Sequence, residues 1–160
     1  MRMPEPAHGH LTYCSNIHPG ETWPEVRANL GRFLPEVKRR VAPDRAFGVG
    51  LRLSAAAATA LRQPPALEEL KDFLRREGLY TFTVNAFPYG VFHGRRVKED
   101  VYLPDWRDPE RLRYTNEVAD LLAETERAHA NCQIGSYPFF REGRVGANFV
   151  IRSTDQAALA

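Results

Sequence analysis

The chain has 160 residues, 43% of them hydrophobic and 26% charged, with 22 basic against 20 acidic side chains and a formal charge of +2. That length suits one domain with a real core, and the composition is that of a globular protein rather than a disordered or collagen-like one. The near-neutral balance, with no run of basic residues, argues against a nucleic-acid partner, and no window is apolar enough to span a membrane.

Residues 1–9 read as a loose, Pro- and Gly-bearing lead-in. The stretch Met1 to Pro6 has no apolar signal core, so the cytoplasm is the expected compartment. Leu11 to Cys14 is a short strand, followed by a loop from Ser15 to Gly20. Thr22 with Glu25 three residues later has capping-box spacing and predicts a helix start. Val26, Leu30, Phe33, Leu34, Val37 and Val41 follow at steps of three and four, which is one apolar stripe. Pro35 lies inside that stripe and is expected to kink or split the helix.

Phe47 to Leu53 is a second strand, whose two glycines suggest a close backbone approach or a bend. Ser54 is placed to cap the Ala-rich turn from Ala55 to Leu61, and Gln63-Pro64-Pro65 is a break. Leu67, Leu70, Phe73 and Leu74 mark the next helix, with Gly78 ending it. Leu79 to Asn85, rich in aromatic and β-branched residues, is the clearest strand. A long connection runs from Ala86 to Arg107, and long loops in compact domains are usually functional or mobile. Asp108-Pro109 opens another helix, with Leu112, Val118, Leu121 and Leu122 on its apolar face.

The resulting order, β-α-β-α-β-α, predicts an α/β fold with a parallel sheet. The tail differs. Asn131 to Phe140 and Val145 to Arg152 read as a hairpin around Glu142-Gly143, and Thr154 begins what reads as a helix. A domain rarely stops as a helix starts, so the expectation is a truncated chain. The two cysteines, Cys14 and Cys132, are expected to be reduced and buried.

In parallel β/α folds the loops after the strand C-termini carry the chemistry. Asn16 and His18 follow the first strand, Arg52 ends the second, and Asn85, Tyr89, His93 and Lys98 follow the third. His18 suits metal ligation or proton transfer, with an exposed or capping loop histidine as the alternative. Arg52 suits a carboxylate or phosphate partner, or else an ion pair within the sheet. Asn85 suits a substrate hydroxyl, or a turn that starts the loop. If these three act together they converge on one end of the sheet. No acidic residue is assigned to a strand end, and no zinc-type spacing or HExxH is present.

Residues 10–23, 47–54, 85–94 and 97–107 closely resemble the metabolite-traffic family EboE, over about residues 10–123. The resemblance implies a xylose-isomerase-like TIM barrel, here a partial barrel of three βα units followed by a C-terminal β-hairpin segment. It implies binding of a small polar metabolite or isomerase or epimerase action on it, with His18, Asn85 and His93 as catalytic candidates. Arg52, Asn16, Tyr89 and Lys98 are the substrate-binding candidates, and a divalent metal belongs to the complete barrel. Partners implied are the metabolite, other operon proteins or a second copy. Residues 130–160, with Ile134 to Phe140, resemble the end of the molybdopterin-binding domain of competence/damage-inducible protein A. The alternative to a barrel enzyme is therefore a truncated or fused product, with a pterin- or nucleotide-related tail and a binding role only.

Overall fold

In the computed structural model, residues 10–91, 93–94, 98–126, 133–141 and 144–152 are described. Three short strands, β1 (Thr12–Cys14), β2 (Phe47–Arg52) and β3 (Leu79–Asn85), form one parallel sheet in the order β1-β2-β3. The register pairs Thr12 with Gly48 and Phe47 with Leu79, and it slips once, so that Val49 faces Thr81 while Gly50 faces Thr83. One residue of β3, Phe82, is thereby skipped, as in a bulge. Gly50 lies at this slip. A Cβ there would stand 3.4 Å from Thr83 Cγ2 and 3.6 Å from Cys14 Sγ, so the neighbouring strands crowd the position.

Helix α1 (Trp23–Val41) joins β1 to β2. Its start matches the capping-box spacing, since the Glu25 carboxylate accepts from the backbone N–H of both Thr22 (2.9 Å) and Glu21 (3.0 Å). Trp23, Val26, Leu30 and Leu34 are buried along one stripe, whereas Val41 is exposed. The helix does not split at Pro35. Proline removes only the bond to the carbonyl of residue 31, and Gly31 is exposed, so water can satisfy that oxygen.

Helices α2 (Ala55–Leu61) and α3 (Pro64–Arg76) lie between β2 and β3. Ser54 caps α2 through its Oγ, which accepts from Ala57 N at 3.1 Å. Pro64 is the first residue of α3, where a missing N–H costs nothing, so the Pro-Pro pair starts a helix as well as ending one. Gly78 turns the chain into β3 with φ +62°, the left-handed region that favours glycine. Helix α4 (Pro109–Glu126) packs on β3 and α2. Its buried face is Tyr114, Val118 and Leu121. Leu112, expected on that face, is more than half exposed, and the larger Tyr114 sits there instead.

The core lies where these helices meet β2, every residue of which is buried. Strands β4 (Gln133–Arg141) and β5 (Arg144–Arg152) then pair with each other in an antiparallel hairpin, in the register expected around residues 142 and 143. The predicted N-terminal lead-in, the helix after Thr154 and Cys132 lie outside the described residues.

The α/β alternation is present, but the partial TIM barrel is not. The sheet is a small open one, and the next strand in sequence pairs within its own hairpin instead of extending the parallel ladder. Alternation of strands and helices is common to open and closed sheets, so it fixes parallel pairing without fixing closure.

Candidate functional site

Because β1, β2 and β3 are parallel, their C-terminal ends lie on one edge of the sheet. His18 follows β1, Arg52 ends β2, and Asn85 ends β3 directly across from Arg52. The three predicted residues therefore share that edge. They do not share a single cavity: Arg52 and His18 line one shallow crevice with Pro19, Gly20 and Asn29, and Asn85 is not part of it.

Arg52 is the centre of the edge. Its side chain is 2% exposed. Nη2 donates to Glu21 Oε2 at 2.8 Å and to Gly90 O at 2.8 Å, and Nη1 donates to Gly20 O at 2.7 Å. Its backbone N–H donates to Ser15 Oγ at 2.8 Å. One guanidinium thus joins the loop after β1 to the loop after β3. A planar fork with five N–H groups can do this, and an ammonium cannot. The carboxylate that meets the fork is internal, from Glu21. Only Nε lacks a partner among the described residues.

Glu21 escaped the sequence reading, which assigned no acid to a strand end. The available signal was its place directly before the helix cap Thr22, where a negative charge is favoured by the helix dipole. Its carbonyl also accepts from Ser54 Oγ.

His18 sits between two rings. Its imidazole stacks on Phe33 at 4.0 Å between centroids and 4° between planes, and its Nε2 shares a hydrogen bond of 2.5 Å with the Tyr13 hydroxyl. Loss of solvent, then the proximity of His93, then that of Arg32, hold its pKa below the usual histidine value. Desolvation raises that of Tyr13. His93 is half-buried on the long loop. Asn85 Oδ1 accepts from Phe87 N at 3.0 Å, a turn that starts the long loop. Asn16 lies in a 3-10 turn at residues 15–17, half-buried, and Lys98 opens another at residues 98–102.

Tyr89 is tied into α4. Its hydroxyl donates to Glu110, whose carboxylate also meets Arg113, and its ring meets Tyr114 edge-on at 5.2 Å. The hydrogen bonds from Arg113 and then Tyr89 push the Glu110 pKa down to about 2. Arg111, 5% exposed, donates to Pro104 O at 2.7 Å and to Ala86 O at 3.4 Å. Neither Arg111 nor Tyr114 stands out in the sequence, because their partners are backbone carbonyls 7 and 25 residues away for Arg111 and 61 for Tyr114, which no local pattern marks. Cys14, expected to be buried, is an exposed free thiol.

No group of three or more His, Cys, Asp or Glu side chains among the described residues is arranged to hold a metal ion. No helix among them is long and apolar enough to cross a membrane.

The fold and edge define an α/β layer with a buried arginine clamp, followed by a β-hairpin. Against known families, residues 116–160 match FAD synthase, middle domain. No curated protein and no solved structure matches the chain. The family match begins inside α4 and runs through both hairpin strands. It overturns the reading as a sugar-isomerase-like EboE barrel. The open three-stranded sheet likewise departs from the barrel that the motif strings in the first part of the chain imply.

Proposed function

We propose that the chain works in flavin-nucleotide metabolism and binds a flavin nucleotide through its C-terminal part. The observation that carries this reading is the match of residues 116–160 to the FAD synthase middle domain. The match starts two residues after Tyr114, in a helix whose Tyr114, Val118 and Leu121 are buried with β2 in the core. The matched segment is therefore continuous with the α/β layer through one helix. In this reading residues 10–123 and 130–160 are two segments of one binding protein. The ligand is a small molecule rather than a nucleic acid. His18, Asn85, His93, Asn16, Tyr89 and Lys98 are rim residues with no catalytic step assigned. Arg52 positions the loops around them. The exposed thiol of Cys14 fits a reducing compartment, and we place the protein in the cytoplasm.

The test is a titration of the isotopically labelled full chain with FMN and with FAD, followed by amide NMR. Saturable shifts within residues 116–160, with a dissociation constant on the order of micromolar, are expected. The reading fails if neither nucleotide shifts those amides, or if shifts appear only outside that segment.

A further inference from the structure

A second feature lies away from the family-matched segment, in the loop between β3 and α4. The Pro88–Val91 turn and the segment from Asp100 to Pro104 enclose an open cleft of about 330 Å³. That volume is at the lower end of the range for small-molecule sites.

Both walls are held from behind. On one side Arg52 Nη2 binds Gly90 O, Ala55 N donates to Tyr89 O at 2.8 Å, and the Tyr89 hydroxyl is tied to Glu110. On the other, Arg111 binds Pro104 O at 2.7 Å. Two almost fully buried guanidinium groups thus fix backbone carbonyls in opposite walls. A cleft so anchored loses little freedom when it is filled, which favours binding.

The lining has a definite chemistry. Tyr89, Val91, Val101, Leu103 and Pro104 present apolar surface, and Asp100 is the one charged side chain among the described lining residues. Its carboxylate has no side-chain or backbone donor within hydrogen-bond reach among those residues, whereas nearby Asp105 is paired with Arg107. Around the same loop, Phe87, Val91, Tyr102, Leu103 and Trp106 are all exposed, and the Phe87 and Tyr102 rings meet at 5.4 Å. Large apolar side chains gathered on one loop beside a cleft mark a binding surface.

We propose that this cleft binds a compact apolar amine: a single ring or short branched body against Val91, Val101 and Leu103, with its ammonium group on the Asp100 carboxylate. A neutral molecule of the same shape fills the apolar part but leaves the carboxylate without a partner. The proposal is independent of the flavin-nucleotide reading, which concerns residues 116–160.

The probes are benzylamine and its neutral counterpart benzyl alcohol, each titrated at neutral pH into the labelled full chain and followed by amide NMR. Benzylamine is expected to give saturable shifts at Gly90, Val91, Val101 and Leu103, and to bind roughly five- to tenfold more tightly than the alcohol. Asp100→Asn is expected to remove that preference without changing the urea melt, and Leu103→Ala to weaken both probes alike. The proposal is overturned if no saturable shift appears at those four amides, if both probes bind equally to the wild type, or if Asp100→Asn keeps the preference.

Discussion

Arg52 and Glu21 form a two-pronged ion pair, with Nη2 2.8 Å from Oε2 and both terminal nitrogens 3.1 Å from Oε1, around a guanidinium that is almost wholly buried. Removing one partner from a buried pair is costly because the other charge is left without compensation. Glu21→Gln is therefore expected to destabilise the α/β layer by about 3 kcal/mol. Arg52→Lys should not rescue the wild-type state, because an ammonium cannot serve Gly20 O, Gly90 O and both Glu21 oxygens together. Urea melts followed by the buried Trp23, in a Trp106→Phe background that removes the exposed indole, measure both effects.

Tyr114 ties α4 to the end of β2. Its ring is fully buried and its hydroxyl donates to Leu53 O at 2.5 Å. Burial pushes its pKa up to about 12, so it stays a donor at any physiological pH. Tyr114→Phe keeps the packing and leaves a carbonyl unsatisfied, with an expected loss of about 1–2 kcal/mol in the same melt. If the α4 contact were incidental to the layer, the midpoint would not move.

Gly78 has φ +62°, and a Cβ there would lie 3.1 Å from Lys38 Cε. Gly78→Ala is expected to cost about 1–2 kcal/mol from the left-handed backbone. The contact with Lys38 adds little, because that side chain can move. Its present bonds, to Ala42 O at 3.4 Å and Pro43 O at 3.2 Å, are long enough to yield. The double variant Gly78→Ala, Lys38→Ala should therefore be no more than slightly better than the single one.

The elements were legible in the sequence wherever a local rule sets them. Thr22 with Glu25, Ser54 before alanines, Gly78 after a helix stripe and Asp108-Pro109 each declare a helix end through contacts a few residues away. The strands followed from their apolar runs, and the hairpin from its two-residue turn. What escaped was long-range. Sheet closure depends on strands that alternation alone does not specify. The Arg52 fork meets groups 31, 32 and 38 residues away, so Leu51-Arg52-Leu53 shows an inward arginine but not which carboxylate it meets. Leu112 and Tyr114 are two residues apart, and hydropathy favours leucine inside. The hydroxyl's bond to Leu53 O, invisible locally, accompanies the choice of tyrosine. The family strings misled because short strings, partly in strands β1 and β2 and partly in the loops after the strands, do not specify how many strands follow or whether the sheet closes.

His18 gives the chain a pH dependence of its own. Loss of solvent, His93 and Arg32 lower its pKa below 6.5, and the groups facing it are Tyr13 on β1, Phe33 and Arg32 on α1, and His93 on the long loop. In the unfolded chain the histidine takes up a proton near its ordinary value, while in the folded chain it resists doing so. The unfolded state then binds more protons, so stability rises with pH across this window. The contribution is fully present above about pH 6.5 and is lost as the pH falls toward the lowered folded value. The carboxylates act in a separate range. Glu25, lowered chiefly by the Thr22 backbone N–H, and Glu110 lose their contributions only below the ordinary glutamate value of 4.5. Between about pH 7.5 and 5 the wild-type urea midpoint should therefore fall more steeply than that of His18→Gln, although the variant starts lower for want of the Phe33 stack. Equal slopes would mean that His18 titrates alike in the folded and unfolded chains, and that its place between Tyr13 and Phe33 does not disfavour the proton.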